Sequence, residues 1–408
     1  MKNIYSIILL LLSIQGVWGQ TSLQTYLETA AKNNPGLKAE YYEYQAALQQ
    51  LPQAGSLPDP QLNFGIAAMP IVTKNGPQQA KISLSQKMPW FGTLRSKQNV
   101  FDDRAKARFE SFQEAKVKLF YEVKSLYYDL YYLQKSLNIT RKNLEILENW
   151  KQLVMTKIQN GKASATDGLR IDMQIEEMKN TLASLQDQLE INTIKFNHLL
   201  NVKTDTKVHI ANVLPKNVLR QSKSEIYERI QQENHRLKRL DWLKKSQVNQ
   251  EKLNKKLAKP NLLLGIDYGL IGKTNNLPDA GKDALLFKVG ISIPLFRKKY
   301  KAMVQEAQYQ QKAFEEKTND QVLILKSWAS EIYSQYEDAV RREKLYQNQV
   351  VLAQRAERFL ENEYAYNGKN FEEILRMEKK RLQYELKREK AITDKQKSIA
   401  LLQYLTGM

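Results

Sequence analysis

The sequence predicts a mainly α protein with a small β part: two long helical hairpins, each preceded by a pair of strands. Three observations carry this. The stretches 93–160 and 297–367, 68 and 71 residues long, contain neither Pro nor Gly. Four shorter segments alternate apolar and polar residues with a period of two. And the order strand pair, long helix, returning helix is written twice, about two hundred residues apart.

Composition sets the bounds first. The chain has 408 residues, 42% hydrophobic and 26% charged, which is too apolar and aromatic for a disordered chain. Its formal net charge of +19 suggests an anionic partner, nucleic acid or an anionic membrane surface. The alternative is a solvated, Lys-rich helical surface, and the even spread of Lys and Arg along the chain favours it. The absence of Cys excludes disulfides, thiolate metal sites and a thiol nucleophile. Lys2, the apolar run Ile7 to Leu12 with Ile14, and Val17-Trp18-Gly19 read as a signal peptide over 1–19, with cleavage before Gln20. That run is too short to span a bilayer comfortably, and no later stretch approaches twenty apolar residues.

The remainder, 20–408, reads as one domain of two structural repeats, about 20–205 and 220–408. Pro60 to Ile66 aligns with Pro260 to Ile266 at an offset of 200, and Lys87 to Phe91 with Ser292 to Phe296 at 205. Gly161-Lys162 aligns with Gly368-Lys369 at 207, and Leu169-Arg170 with Leu375-Arg376 at 206. Phe196 to Asn201 aligns with Leu402 to Gly407, again at 206. Each match is weak alone; five in the same order are hard to obtain by chance.

Each repeat opens with a helix, expected at about 22–51 and 222–257. Strands follow. Leu62, Phe64, Ile66 and Ala68 share one face of the first, and Ile82, Leu84 and Met88 one face of the second. In the second repeat Leu262, Leu264, Ile266, Tyr268 and Leu270 share a face, as do Phe287, Val289, Ile291 and Ile293. Period-two alternation puts each apolar set on one side of a sheet. An ordinary half-buried sheet would look the same. Four strands are too few to close a membrane barrel alone, so several chains would have to share one. The long helices come next, each of roughly 100 Å at 1.5 Å per residue. Phe120, Val123, Tyr127 and Leu130, with Leu126, Leu133 and Leu137, and in the second repeat Val322, Leu325, Ala329, Ile332 and Tyr336, recur every three or four residues, as in coiled-coil packing. Gly161 and Gly368 end these helices, and the chain returns through helices at about 166–200 and 371–405.

These residues resemble the TolC-like outer-membrane efflux proteins over essentially the whole chain after the leader. The resemblance rests on Leu57-Pro58-Asp59-Pro60-Gln61-Leu62, on the junction Gln86-Lys87-Met88-Pro89-Trp90-Phe91-Gly92, and on two helix tips, Asn160 to Leu169 and Tyr366 to Leu375. The Leu-Pro-Asp-Pro and Pro-Trp-Phe-Gly segments look most like the branch associated with metal-cation efflux. The resemblance implies a homotrimer in the outer membrane of a Gram-negative bacterium. Each chain would add four strands to a shared 12-stranded barrel embedded in outer-membrane lipid, and its helices would form a long periplasmic tube. An inner-membrane pump and a periplasmic adaptor would dock near the tips, which open like an iris. It implies no cofactor and no nucleic-acid partner.

Site candidates follow, each beside a plainer reading. Asp167 could hold a closed aperture or join a carboxylate ring; an acid in a helix's first turn is the alternative. Glu373 matches the family's acidic tip position, with Glu372 the alternative. Arg376 stands where related proteins often carry a second acid. Arg170 and Arg376 bridge to Asp167 or Glu373, or lie on a solvated face. Tyr364 and Tyr366 donate hydrogen bonds across the aperture, or pack. Trp90, Phe91 and Phe296 suit the membrane–water interface, or a strand-to-helix corner. Pro89 and Pro294, which cannot donate to a sheet ladder, suit the exit from the barrel. Lys81, Ser83, Ser85, Lys87, Lys288 and Ser292 face the lumen if the apolar faces meet lipid.

The three His, at 198, 209 and 235, are dispersed, and no phosphate loop, metal-ligand pair or nucleophile motif is present. The chain therefore reads as a channel and not an enzyme. The competing class is an exported periplasmic coiled-coil adaptor or scaffold, which leaves the strand pairs unexplained.

Overall fold

The computed structural model describes residues 21–274, 280–367 and 370–408. The leader and Gly368 lie outside these residues. The order is α1 (Thr21–Asn33), α2 (Pro35–Gly55), β1 (Gln61–Thr73), β2 (Gly76–Met88), α3 (Thr93–Gln159), α4 (Ala165–Leu200), α5 (Lys223–Glu233), α6 (His235–Leu257), β3 (Asn261–Ile271), β4 (Ala284–Ser292), α7 (Arg297–Asn367) and α8 (Phe371–Leu405). The long helices, the returning helices and the four strands fall where the pattern puts them, although β4 stops one residue short of Ile293.

The opening helix of each repeat is a correction: both are broken. In the first, Asn34 separates α1 from α2 because Pro35 restricts the residue before it and supplies no N–H. In the second, Asn234 takes an extended conformation (φ −64°, ψ 123°) between α5 and α6. Apolar periodicity runs through both breaks, so it did not reveal them.

The chain divides into two compact units. Among the described residues, one comprises 21–39, 113–234, 323–367 and 370–408 and is mainly helical. Its core includes Val123, Leu130, Leu147, Leu325, Ile332 and Leu402, all fully or nearly fully buried. Those α3 and α7 positions continue the three- and four-residue spacing, and burying them is what stabilises helices this long.

The other unit, 40–112 and 235–322, contains the sheet. Its four strands are antiparallel in the order β1-β2-β3-β4. Leu62, Leu84, Ile266 and Phe287 stand in one cross-strand row, and Phe64, Ile82, Tyr268 and Leu285 in another. The period-two pattern thus places apolar side chains from all four strands on one face. That face is bare in the single chain: Phe64 and Phe287 are each 71% exposed. No described helix is long and apolar enough to cross a membrane.

Candidate functional site

The opposite face of the sheet carries every charged residue of the four strands. These are Lys81 and Lys87 on β2, Asp267 on β3 and Lys288 on β4. Lys81 lies directly across from Gly269, and Lys288 across from Gly265. Each ammonium therefore reaches diagonally, past a position without a side chain, to the same carboxylate between the two glycines. Lys81 Nζ stands 2.6 Å from Asp267 Oδ2, and Lys288 Nζ 2.5 Å from Oδ1. Ser83 is paired with Asp267 in the ladder, Ser85 with Gly265, and Ser292 with Asn261. The six residues expected to line a lumen share this face. Asp267 was missed by sequence reasoning, although it is the only acid in the four strands, which is a readable signal.

At the strand ends, Trp90 and Phe91 pack edge to face with ring centroids 5.9 Å apart, while Phe91 and Phe296 are strongly exposed. Pro89 follows β2, and the chain turns at once: Thr93 N–H donates to the Trp90 carbonyl at 2.9 Å. Gly92 makes the turn possible. Its φ of +72° is left-handed, and a Cβ there would meet Lys256 Nζ at 2.5 Å. Pro294 stands in the equivalent place, separated from the end of β4 by Ile293, and is followed by Leu295 and Phe296, with no glycine.

The helix tips belong to the helical unit. Gly161, at φ +69°, closes α3 with a Schellman arrangement. Its N–H donates to the Ile158 carbonyl at 3.0 Å, and that of Lys162 to Lys157 at 2.8 Å. Ser164 then caps α4. The Thr166 N–H donates to Ser164 Oγ, and the Ser164 N–H to Asp167 Oδ2 at 3.3 Å, completing a capping box. Asp167 thus has a local structural partner. It also faces Arg170 at 3.5 Å, and Arg170 in turn meets Glu372 at 3.0 Å, linking α4 to α8. Arg376 pairs with Glu373 one turn away on its own helix.

Tyr364 is only 1% exposed and lies in a core with Leu147, Val154, Ile171, Phe371 and Ile374. Trp150 packs against both Tyr364 and Phe371. Lys157 Nζ sits over the Tyr364 ring, 3.9 Å from its centroid, and donates to the Tyr364 carbonyl at 2.8 Å. Tyr366, two residues on, is 93% exposed. The two tyrosines therefore differ completely in surroundings, which sequence spacing did not distinguish.

Further along the same unit, Arg381 bonds three carboxylates: Glu357 at 2.8 Å, Glu378 at 2.6 Å and Glu385 at 3.2 Å. Glu378 also accepts from Asn143 Nδ2 at 3.1 Å. Burial, reinforced by the nearby Glu378 charge, pushes Glu357 up to about 7 despite Arg381. Among the described residues no group of three or more His, Asp or Glu is placed to hold a metal ion.

The described residues thus form duplicated helical hairpins and a four-stranded sheet with one bare apolar face and one charged face. Residues 26–202 match the family model described as outer membrane efflux protein. Over the described chain as a whole the likeness is one of fold, to solved outer-membrane channels. CusC, whose structures concern transmembrane channel formation, is similar with a TM-score of 0.81 over 97% of this chain and 95% of that one, at 14% identity. The MtrE outer membrane channel of Neisseria gonorrhoeae, in its open state, gives 0.77 over 94% and 88%, at 16% identity. The outer membrane protein VceC of Vibrio cholerae gives 0.77 over 94% and 96%, at 14% identity. Among curated proteins, none matches the chain by sequence.

Proposed function

We propose that three copies of the chain form the outer-membrane exit duct of a tripartite efflux system. Each copy gives four strands to one 12-stranded barrel, and the helices make a periplasmic tube. The duct passively releases what an inner-membrane pump and a periplasmic adaptor deliver to it. The single observation that carries this reading is the sheet. It has two free edges, at β1 and β4, and an apolar face with no cover in the single chain. An exposed edge and an exposed apolar face each call for a partner; closing a barrel in lipid satisfies both. Trp90, Phe91 and Phe296 would lie at the membrane–water boundary, with Pro89 and Pro294 at the exit from the barrel.

At the tips, Asp167, Arg170 and Glu372, with Arg376 and Glu373, hold the duct closed through ion pairs, and splaying of the helices opens it. The test uses the full chain purified from membranes. Heat-resistant trimers that conduct in planar bilayers are expected, and Asp167→Ala with Glu373→Ala should raise single-channel conductance. A soluble periplasmic monomer would defeat the channel in favour of an adaptor or scaffold. Unchanged conductance in assembled variant trimers would remove the aperture role alone.

A further inference from the structure

We propose that the duct is built for anionic cargo, selected electrostatically by a lysine ring in the barrel centred on Lys81 and Lys288. This deepens the channel reading and rests on it, because it takes the charged sheet face as the lumen wall.

The argument begins with the distribution of charge. Thirteen, thirteen, eleven and nine residues make up β1 to β4. Only four of them are charged, and all four share one face: Lys81, Lys87, Lys288 and Asp267. Three lysines against one aspartate leave that face at a net charge of +2. The other polar residues on it, Asn63, Ser83, Ser85 and Ser292 among them, are neutral and can hydrogen-bond a permeant of either sign.

The geometry strengthens the count. Asp267 is not presented to solvent. Its side chain is 4% exposed, roofed by the two lysines that bond it, whose side chains are 44% and 45% exposed. A permeant approaching this face meets two ammonium groups and not the carboxylate beneath them. Asp267 is therefore a positioning residue: it fixes two flexible lysines upright between β2 and β4, and Gly265 and Gly269 clear the way for them. Held at a site, an ammonium keeps its charge in the path; a free lysine would swing along the wall. Three sheets closed into one barrel would repeat the arrangement three times around a narrow lumen with a low-dielectric wall. Such a wall focuses the field and enriches counter-ions, here anions. A bare metal cation would meet a barrier in the same place, so the chemistry argues for carboxylate- or phosphate-bearing cargo and against free cations.

The test is the reversal potential of the full-length trimer in a planar bilayer under a KCl gradient. Chloride should permeate in preference to potassium, and the preference should weaken at high salt as screening shortens the field. Trivalent citrate should block the current, and trivalent hexaamminecobalt should not. Lys81→Gln with Lys288→Gln should lower the chloride-to-potassium ratio severalfold, and Asp267→Asn should raise it. A cation-selective wild-type channel would overturn the inference, as would an assembled double variant whose ratio is unchanged. If the lysine variant fails to assemble, the wild-type potential and the citrate block still decide. Conducting trimers of the wrong selectivity would leave the channel reading standing; absence of any conductance would remove both.

Discussion

The side-chain amide of Asn234 donates to the main-chain carbonyl of Leu405 at 2.9 Å, and Asn34 makes the same bond to Leu199 at 3.0 Å. Each asparagine sits in the break of its repeat's opening helix, and each carbonyl lies at the end of the returning helix. The duplication therefore extends to a single hydrogen bond that ties the start of each repeat to its finish. Asn34 does more: its Oδ1 accepts from the Leu37 N–H at 3.0 Å and so caps α2.

Removing the tie is expected to cost stability. Asn234→Ala leaves a buried carbonyl without its donor, worth about 1–3 kcal/mol. Asn34→Ala loses both a bond and a cap. Midpoints of urea unfolding, followed by far-ultraviolet circular dichroism in detergent, should fall for both variants. A shift smaller than about 0.5 kcal/mol, the usual range for surface changes, would show the bonds to be incidental.

Tyr364 should behave as core. Its hydroxyl is buried without a hydrogen-bond partner among the described residues. Tyr364→Phe removes an unsatisfied group and keeps the ring, so stability should hold or rise. Tyr364→Ala should cost about 3–5 kcal/mol through the cavity it leaves between Trp150 and Phe371. A strongly destabilised Phe variant would mean that the hydroxyl does bond, across a partner chain for instance.

The first tip should loosen when its cap is removed. Ser164→Ala breaks the capping box and costs about 1 kcal/mol. Locally, that corresponds to roughly fivefold faster hydrogen exchange at the Thr166 and Asp167 amides. Exchange confined to these amides, with α4 beyond them unchanged, is the expected pattern; no change would show that the Schellman closure at Gly161 holds the tip alone.

Glu357 should give the helical unit a pH dependence. An acid whose folded pKa exceeds its unfolded value keeps a proton that the unfolded chain releases. Its effect on stability is absent below about 4.5, grows unfavourable as pH rises, and is complete above about 7. Glu357→Gln should therefore gain stability relative to the native chain across that window. Infrared difference spectra should show a protonated carboxyl titrating near neutrality in the native chain and missing from the variant. A native chain lacking that band would place Glu357 as an ordinary carboxylate paired with Arg381.

Asp267 and the helix breaks mark where sequence reading stopped. The alternation along β3 was clear, yet it classed residues only by face; that Lys81 and Lys288 converge on one carboxylate depends on the register of β2 and β4 against β3. Similarly, Tyr364 and Tyr366 are two residues apart in a helix and look alike in sequence. Which one turns inward was set by the neighbouring hairpin, through Trp150 and Phe371.

What the sequence determined by itself was everything with a period or a punctuation mark: two long helices free of Pro and Gly, four alternating strands, the turn at Gly161 and the doubled order of elements. Local sterics and hydrophobic spacing decide those, and they are written residue by residue. Tertiary structure decided which side chains meet: the ammonium pair on Asp267, the asparagine ties to Leu199 and Leu405, and the crowd of carboxylates around Arg381. Apart from Glu378 and Glu385, which neighbour Arg381 on its own helix, those contacts join residues from 21 to 186 positions apart, and only the packing of one element on another brings them within bonding distance.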